Sequence, residues 1–224
     1  MEGIASSAGP TVLVIASGNA GKLQEFRRFL CPPAADRDPD LELRPQPQGL
    51  DVEETGSSFA ANARLKAEAV ARITGEWSLA DDSGLSVEAL GGEPGIRSAR
   101  YAPTDPERIA RLLRELEEAT TMAAAAGLPC SRRARFTAAL AVADPGGRIA
   151  LEVEGCCEGE ILPAPRGTGG FGYDPLFYVP ELRLSFAEMD SEQKRRVGHR
   201  GRALRALLPR LRALLGSAAA ARPD

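Results

Sequence analysis

The opening of the chain constrains the fold more than any other feature. Residues 12–16 read Val-Leu-Val-Ile-Ala, an apolar and mostly β-branched run with the length of a buried strand. The turn Ser17-Gly-Asn-Ala-Gly21 follows, and after it Leu23, Phe26 and Leu30 take a helical spacing. A buried strand that leads through a polar turn into an amphipathic helix is typical of the α/β class, in which helices cover a sheet.

The later patterns predict that this sheet is mixed. Residues 77–80 indicate a short strand that ends at Asp81 and Asp82, and two longer strands, 135–143 and 149–161, flank the turn signal Asp-Pro-Gly-Gly at 144–147. The other predicted elements are a short strand at 41–43, a helix from Ser57 or Ser58 to about Ile73, a helix carrying Ile109, Leu112, Leu113 and Leu116, and a last helix from Leu204 to Leu215 that Pro209 should kink. We therefore expect an elongated mixed β-sheet with flanking helices, in two lobes around a central cleft.

Sequence length and local composition predict how the chain is divided. Its 224 residues are enough for one or two domains of ordinary size. We expect residues 1–10 to form a flexible leader, 11–216 a single α/β domain with two lobes, and 217–224 a disordered tail. Residues 119–131, which include four consecutive alanines, are interpreted as a helix end plus an insertion, and the glycine- and proline-rich stretches 94–103 and 163–175 as loops.

Charge and hydropathy argue against two classes of partner. The chain has 28 basic and 31 acidic residues, a net charge of −3, whereas nucleic-acid binding usually needs a basic surplus. No apolar run approaches the roughly 20 residues of a membrane-spanning helix. The first residues also lack the cationic and apolar pattern of a signal peptide. We expect neither a nucleic acid nor a membrane as partner.

The rare ligand residues limit the metal chemistry. The cysteines Cys31, Cys130, Cys156 and Cys157 form no Cys-x-x-Cys pair, and the adjacent two have poor geometry for a disulfide. This usage indicates a reducing cytoplasm and no structural zinc. Because the chain has a single histidine, any metal ion must be held mostly by oxygen, which favours magnesium or manganese.

The turn at residues 17–22 is a candidate anion site. A helix N-terminus that follows a strand presents unpaired N–H groups and the positive end of the helix dipole. Gly18 and Gly21 would let the backbone approach a phosphate, and Lys22 adds a positive charge. The stretch is not a Walker motif, because Ala16 and Leu23 stand where that motif needs glycine and Ser/Thr. A polar turn with a solvated lysine is an equally good interpretation of these residues alone.

Two acidic pairs are candidates for metal binding. Glu53 and Glu54 precede Thr55 and Gly56, and Asp81 and Asp82 lie at the predicted carboxyl end of a strand, where open α/β sheets usually bind ligands. Adjacent buried aspartates repel each other and require a cation or a shared proton. Magnesium takes one or two carboxylates together with waters and phosphates. A solvated acidic turn is the alternative.

The C-terminal half supplies an aromatic loop and a basic cluster. The stretch Gly167-Thr-Gly-Gly-Phe-Gly-Tyr-Asp174 could bring an aromatic face and a carboxylate to a planar base, or could simply be a tight connection with Phe171 in the core. Lys194 and His199-Arg-Gly-Arg202 cluster near a helix start, where the dipole disfavours cations. The cluster is easier to explain if it faces an anion than as a solvated cationic face.

Taken together and in this order, the motifs resemble the HAM1/RdgB-type inosine triphosphate pyrophosphatases. The resemblance extends from about residue 12 to residue 215. The matching stretches are Ser17-Gly-Asn-Ala-Gly-Lys22, Glu53-Glu-Thr-Gly56, Phe59, Asn62-Ala63, Lys66-Ala67, Ala80-Asp-Asp-Ser-Gly-Leu85, Leu90-Gly-Gly92, Pro94-Gly-Ile-Arg-Ser-Ala-Arg-Tyr101, Gly169-Gly-Phe-Gly-Tyr-Asp-Pro-Leu-Phe177, Ser185-Phe-Ala-Glu-Met189 and His199-Arg-Gly201.

The resemblance implies hydrolysis of the non-standard purine nucleoside triphosphates ITP, dITP and XTP to monophosphate and pyrophosphate. It also implies magnesium, with manganese as a possible substitute, a homodimer, and an active site in the cleft between two lobes. Glu53 and Asp82 would bind the metal, and Asp82 would also accept the proton. The triphosphate would be held by Ser17, Gly18, Asn19, Ala20, Gly21 and Lys22. The remaining substrate contacts would come from Ser83, Phe171, Gly172, Tyr173, Asp174, Lys194, His199 and Arg200.

Some features depart from the family pattern, and two other functions stay open. Gly198 stands where the family usually has serine before His-Arg-Gly, which implies altered affinity rather than lost activity. The alanine-rich stretch 119–131 and Pro209 are also unusual for the family. A catalytically inactive nucleotide sensor would be free to lose Glu53 or Asp82, yet both are present. A pyrophosphatase for other modified nucleotides is the second alternative.

Overall fold

The computed structural model describes residues 10–30 and 41–220. Residues 1–9 of the predicted leader, Cys31 and the end of the predicted tail lie outside the described residues. The prediction of a disordered tail is wrong for residues 217–220, because the last helix continues to Ala220.

The described residues form one seven-stranded mixed sheet flanked by five α-helices, as expected for the α/β class. The strands are β1 (Thr11–Ala16), β2 (Leu41–Pro45), β3 (Trp77–Val87), β4 (Arg133–Ala143), β5 (Ile149–Ile161), β6 (Phe177–Val179) and β7 (Leu184–Ser185). The helices are α1 (Ala20–Leu30), α2 (Phe59–Thr74), α3 (Asp105–Ala125), α4 (Ser191–Val197) and α5 (His199–Ala220). The sheet order is β2-β1-β3-β4-β5-β6-β7, with β1 parallel to both of its neighbours and all other pairs antiparallel.

One predicted strand end is wrong, and the difference positions the site. The strand that begins at Trp77 does not stop at Asp81 and Asp82 but continues to Val87. Its parallel pairing with β1 ends at Ala16 and Ala80, whereas its antiparallel pairing with β4 continues for seven more residues, Asp81 to Val87. The two aspartates therefore lie where a parallel neighbour ends, although their own strand does not.

The helix boundaries follow their capping residues. Ser58 caps α2 by accepting the backbone N–H of Ala61, and Thr104 forms a capping box with Glu107 at the start of α3. Helix α3 extends to Ala125, so that much of the predicted insertion is helical. The predicted loop 94–103 contains the 3₁₀ helix Gly95–Arg100.

Helix α5 continues through Pro209 without ending there. The proline ring removes one backbone N–H donor, but leucines on both sides of it pack into the same core. These leucines are Leu204, Leu207, Leu211 and Leu215. Their burial places the residues before and after Pro209 against the same core.

The core divides into three clusters that leave a cleft between them. Alternate residues of β1, β3 and β4 face α1 and α5 on one side of the sheet and α2 on the other. The third cluster lies at the far ends of β3, β4 and β5, where Leu112 and Leu116 of α3 cover Leu85 and Phe136. The site described below lies between this far cluster and the other two.

Substituting Gly155 of β5 by alanine is expected to lower the free energy of unfolding by about 1–3 kcal/mol. A Cβ atom at this position would overlap with backbone atoms of His199 and Ala203, because α5 packs directly on the glycine. Urea unfolding measures the loss. The control is Gly216→Ala in α5, the helix that packs on Gly155; a Cβ atom at position 216 meets nothing within 4 Å. Equal stability of the two variants would contradict this packing argument.

The structure bears on two predictions from the sequence, one about membrane-spanning helices and one about disulfide bonds. None of the helices within residues 10–30 and 41–220 is long and apolar enough to cross a membrane. Cys130, Cys156 and Cys157 are free thiols. The adjacent pair lies on β5, whose pleat directs neighbouring side chains to opposite faces.

Candidate active site

Two adjoining pockets open at the point where β1 ends beside β3. We call the first the carboxylate pocket, because Glu54 and Asp82 line it together with Lys22. The second, the aromatic pocket, lies between α1 and α4 and includes Phe29 and Phe186. The residues common to both pockets are Phe171, Lys194, His199 and Arg200. Sequence analysis selected all four, and the fold brings them together.

The adjacent aspartates of β3 each have cationic side chains as partners, and the partners differ. Successive side chains of a strand point to opposite faces. Asp81 therefore faces Lys22 of α1 and Arg200 of α5, whereas Asp82 faces Asn62 and Lys66 of α2. The two carboxylates have separate environments and separate chemistry.

Asp81 is the buried centre of the first environment. Its carboxylate lies 2.6 Å from Lys22 Nζ and 3.4 Å from Arg200 Nε, and its side chain is fully buried. Burial opposes its charge, but these two cations hold the pKa of Asp81 well below its usual range. Arg200 also donates to Ser83 Oγ at 2.9 Å. Asp81 therefore fixes the positions of two cations that border the carboxylate pocket.

Asp82 has the opposite electrostatics. Asn62 donates to Asp82 Oδ2 at 3.1 Å, and Lys66 Nζ lies 3.3 Å from Oδ1. Burial raises the pKa of Asp82 and the nearby carboxylate of Glu54 raises it further, while Lys66 and Lys22 oppose the shift. A carboxyl group with a raised pKa in a pocket is a candidate proton acceptor.

Glu54, rather than Glu53, accompanies Asp82. Glu54 Oε1 lies 2.7 Å from Lys66 Nζ, and its other oxygen accepts from Arg100 at 2.6 Å. Glu53 is exposed, and its side chain makes no hydrogen bond or ion pair to any part of the chain that the structure describes. Thr55 and Gly56 precede α2, and Gly56 N–H donates to Asn62 Oδ1 at 2.8 Å. This contact holds the backbone close to Glu54, whose side chain lines the carboxylate pocket.

Glu54 and Asp82 fit a magnesium ion. Both carboxylates already converge on one cationic group, the ammonium of Lys66. Magnesium is often held by one or two carboxylates plus waters and substrate phosphates. No cluster of three or more metal-binding side chains occurs within residues 10–30 and 41–220, so the other ligands would have to be water and phosphate.

The turn after β1 forms one edge of the carboxylate pocket. Ser17 Oγ accepts from Asn19 N–H, and Asn19 Oδ1 accepts from Lys22 N–H at 3.0 Å. Gly18 is exposed, and Ala20 begins α1. Of the six predicted residues, Asn19 and Lys22 line the pocket. A Cβ atom at Gly21 would lie 3.0 Å from the Phe171 ring, so this glycine admits the ring instead.

The glycine-rich loop places an aromatic ring between the pockets. Gly170 and Gly172 have φ of +75° and +62°, values that strongly favour glycine. Phe171 lies between them and faces both pockets. Tyr173 lines the carboxylate pocket, but its hydroxyl group donates to the carbonyl of Ser98 at 3.0 Å, so it anchors the loop to the far cluster.

Asp174 and Lys194 form a buried ion pair that holds this loop. Asp174 Oδ2 lies 2.6 Å from Lys194 Nζ and accepts the Phe171 N–H at 2.8 Å. Burial raises the pKa of Asp174, although Lys194 opposes the shift. Asp174, the carboxylate that the sequence suggested for contact with a nucleobase, thus binds the loop backbone and Lys194. Lys194 Nζ also lies 5.2 Å from the centre of the Phe171 ring.

His199 and Arg200 begin α5 beneath the two pockets. The His199 ring stacks on Phe136 at 4.7 Å between ring centres, and burial and Arg200 lower its pKa well below the usual value. The ring is therefore neutral at pH 7. His199 Nδ1 is buried and has no hydrogen-bond partner within the described residues, whereas Arg200 Nε makes no hydrogen bond but lies 3.4 Å from Asp81. Of these two groups, only His199 Nδ1 has no polar partner in the described residues.

Sequence reasoning gave no role to several residues of the site. Lys66 follows Asn62 by four residues, a helical spacing that puts both on one face, and both contact Asp82. Glu25 follows Lys22 by three residues on α1 and pairs with Arg200. These helical spacings could have indicated that each pair lies on one face of its helix. No comparable spacing in the sequence indicates that Phe136 stacks on His199.

Sequence comparisons relate the chain to a known family. Residues 13–210 match the model of the Ham1 family. A protein of Nostoc sp. named dITP/XTP pyrophosphatase is 53% identical over 208 residues, which cover 93% of this chain and 98% of that protein. A protein of Parasynechococcus marenigrum with the same name is 55% identical over 205 residues, 92% of this chain and 97% of that protein.

Solved structures show the same fold. A HAM1 protein from Coxiella burnetii superposes with a TM-score of 0.78 at 40% identity, covering 90% of this chain and 98% of the other. The Ham1 protein of Staphylococcus aureus superposes with a TM-score of 0.75 at 38% identity, and the match covers 91% of this chain and 99% of the other. By the extent of these matches, the chain belongs to the Ham1 family.

Proposed function

We propose that the protein hydrolyses ITP, dITP and XTP to the nucleoside monophosphate and pyrophosphate. The observation that carries the proposal is the juxtaposition of Asp82 and Glu54 with Lys22 and Arg200 at the junction of two pockets. The names of the cyanobacterial relatives support the substrate class. On the family resemblance we also propose a cytoplasmic homodimer.

The carboxylate pocket has the charges that a triphosphate needs. Lys22 and Arg200 border it, and Lys194 links it to the aromatic pocket. Cations of this kind stabilise the charge that develops on a leaving pyrophosphate. Glu54 and Asp82 would hold magnesium, which supplies further neutralisation of the phosphate oxygens when it is bound.

Asp82 is the proposed proton acceptor. Hydrolysis requires a water molecule to add to phosphorus while the bond to the pyrophosphate oxygen breaks, and the proton of the water must go to a base. The raised pKa of Asp82 makes its carboxylate a stronger base than an exposed aspartate. Asn62 and Lys66 hold both of its oxygens, so that the carboxylate keeps one orientation in the pocket.

The aromatic pocket is the proposed site of the base. Phe171 offers a face for a planar purine, and His199, whose Nδ1 has no partner within the described residues, lines the same pocket together with Arg200. Hypoxanthine and xanthine carry a 6-oxo group where adenine carries an amine. An N–H donor in this pocket favours an oxygen at that position and leaves an amine without a partner.

A substrate panel tests the proposal. ITP, XTP, GTP, ATP and dUTP are incubated with the enzyme and magnesium, and pyrophosphate and orthophosphate are assayed separately. We expect ITP and XTP to give the highest kcat/KM, with pyrophosphate as the primary product. Orthophosphate as the primary product would overturn the reaction type. A preference for dUTP would favour a pyrophosphatase for other nucleotides, and binding without turnover would favour a sensor.

Lys22→Ala is expected to raise the KM for ITP about tenfold, because a single charge-assisted hydrogen bond to a phosphate contributes roughly that much. The control is Arg27→Ala, which removes an exposed cation from the same helix without touching either pocket. Steady-state kinetics with saturating magnesium measure both. An unchanged KM for the Lys22 variant would mean that the lysine only neutralises Asp81.

A further inference from the structure

The first residue of α3 reaches the loop between the two pockets. Asp105 Oδ2 accepts the backbone N–H of Gly172 at 2.7 Å, across 67 residues of sequence. The other oxygen of this carboxylate pairs with Arg108, whose Nε donates to the carbonyl of Ala102 at 2.9 Å. Arg108 thus binds one oxygen of the Asp105 carboxylate, while the other oxygen binds the loop.

Two carboxylates therefore fix two consecutive peptide N–H groups. Asp174 accepts the N–H of Phe171 at 2.8 Å, and Asp105 accepts that of Gly172. Phe171 is flanked by Gly170 and Gly172, which lack the side chains that would otherwise restrict the backbone. The orientation of the Phe171 ring thus depends strongly on these two hydrogen bonds.

The Phe171 ring is common to both pockets and lies against Gly21. A change in its orientation would alter the face on which a purine packs. The pairs that hold phosphate-facing groups, Asp81 with Lys22 and Arg200, are on other elements and would stay in place. Loss of the Asp105 contact should affect the base much more than the phosphates.

We propose that Asp105 is a positioning residue for the nucleobase: through Gly172 it holds the Phe171 ring in the orientation that binds a purine. This inference rests on the proposed function, because it takes the aromatic pocket as the base site. Asp105 acts through the loop backbone and belongs to α3, which packs in the far cluster. It thereby links the far cluster to base binding.

A purely structural role for Asp105 predicts a different result. An acidic residue in the first turn of a helix stabilises it through the dipole, and Thr104 and Glu107 cap the same turn. Thr104→Ala breaks this capping box without removing the contact to Gly172. It is therefore the matched control for any general weakening of α3.

The test compares Asp105→Ala, Asp105→Asn and Thr104→Ala in the full chain. Binding of inosine monophosphate and of pyrophosphate is measured by calorimetry, and KM and kcat are measured with ITP. For Asp105→Ala we expect about tenfold weaker monophosphate binding and about tenfold higher KM, with kcat within about twofold and pyrophosphate binding unchanged. Asp105→Asn should be intermediate, because its single oxygen can accept from only one of the two donors.

Unchanged monophosphate binding in Asp105→Ala would overturn the inference, and so would an equal loss in Thr104→Ala. An equal loss of pyrophosphate binding would also overturn it, since that would mean a general collapse of the cleft. If the wild-type protein binds inosine monophosphate but does not hydrolyse ITP, the proposed function fails, and the calorimetry still decides the role of Asp105.

Discussion

Asp82→Asn is expected to lower kcat for ITP by about 100-fold or more, within the range that removal of a general base produces. The variant loses the proposed proton acceptor and one of the two carboxylates that would hold magnesium. Because burial and Glu54 raise the pKa of Asp82, the charged form of this group is disfavoured in the folded protein. Removing the charge should therefore leave the free energy of unfolding unchanged or slightly higher.

Single-turnover and steady-state assays of pyrophosphate release measure the first effect, and urea unfolding measures the second. The control is Glu68→Gln, which removes a carboxylate on α2 that pairs with Arg72 on the surface. A near wild-type rate for the Asp82 variant would remove its catalytic role. A parallel loss of stability would mean that the loss of activity reflects unfolding.

Asp81→Asn, at the neighbouring position, is expected to lower the free energy of unfolding, in contrast to Asp82→Asn. The substitution keeps the shape of the side chain but leaves Lys22 and Arg200 buried without their shared counter-ion. Breaking a buried ion pair in this way costs about 3–5 kcal/mol of unfolding free energy. The lowered pKa of Asp81 means that its contribution is present at neutral pH and is lost only as the pH falls through its folded-state pKa.

Urea unfolding at pH 7 tests this expectation. Glu42→Gln is the control, because its ion pair with Arg44 is exposed to solvent and such pairs contribute little to stability. If Asp81→Asn unfolds at the same urea concentration as the wild type, Lys22 and Arg200 must be able to leave the buried position. The neighbouring aspartates would then not have the separate roles that their strand imposes.

Local patterns were enough to predict the elements that carry the site. The apolar run at residues 12–16 and the helical spacing of Leu23, Phe26 and Leu30 predict β1 and α1 correctly. Ser58 and the turn at 144–147 mark a helix start and a hairpin. These features depend on neighbours within a few residues. The strand end at Asp81 was wrong because acidic residues usually end a buried strand, whereas here cations from three helices neutralise them.

The residue types at the site were also readable from sequence, since the motifs contain the carboxylates, cations and glycines that phosphate chemistry needs. Their partners were not. The pleat of β3 separates Asp81 from Asp82, Glu54 rather than Glu53 pairs with Lys66, and Glu25 meets Arg200 across 175 residues.

The sequence by itself thus determined the α/β class, the order of most elements and the chemical character of the cleft, because periodicity and turn chemistry act over short distances. Only the tertiary structure decided which charge neutralises which, and which loop atom each carboxylate holds. Burial makes those pairings energetically decisive, and burial depends on strand register and helix packing between residues far apart in the chain.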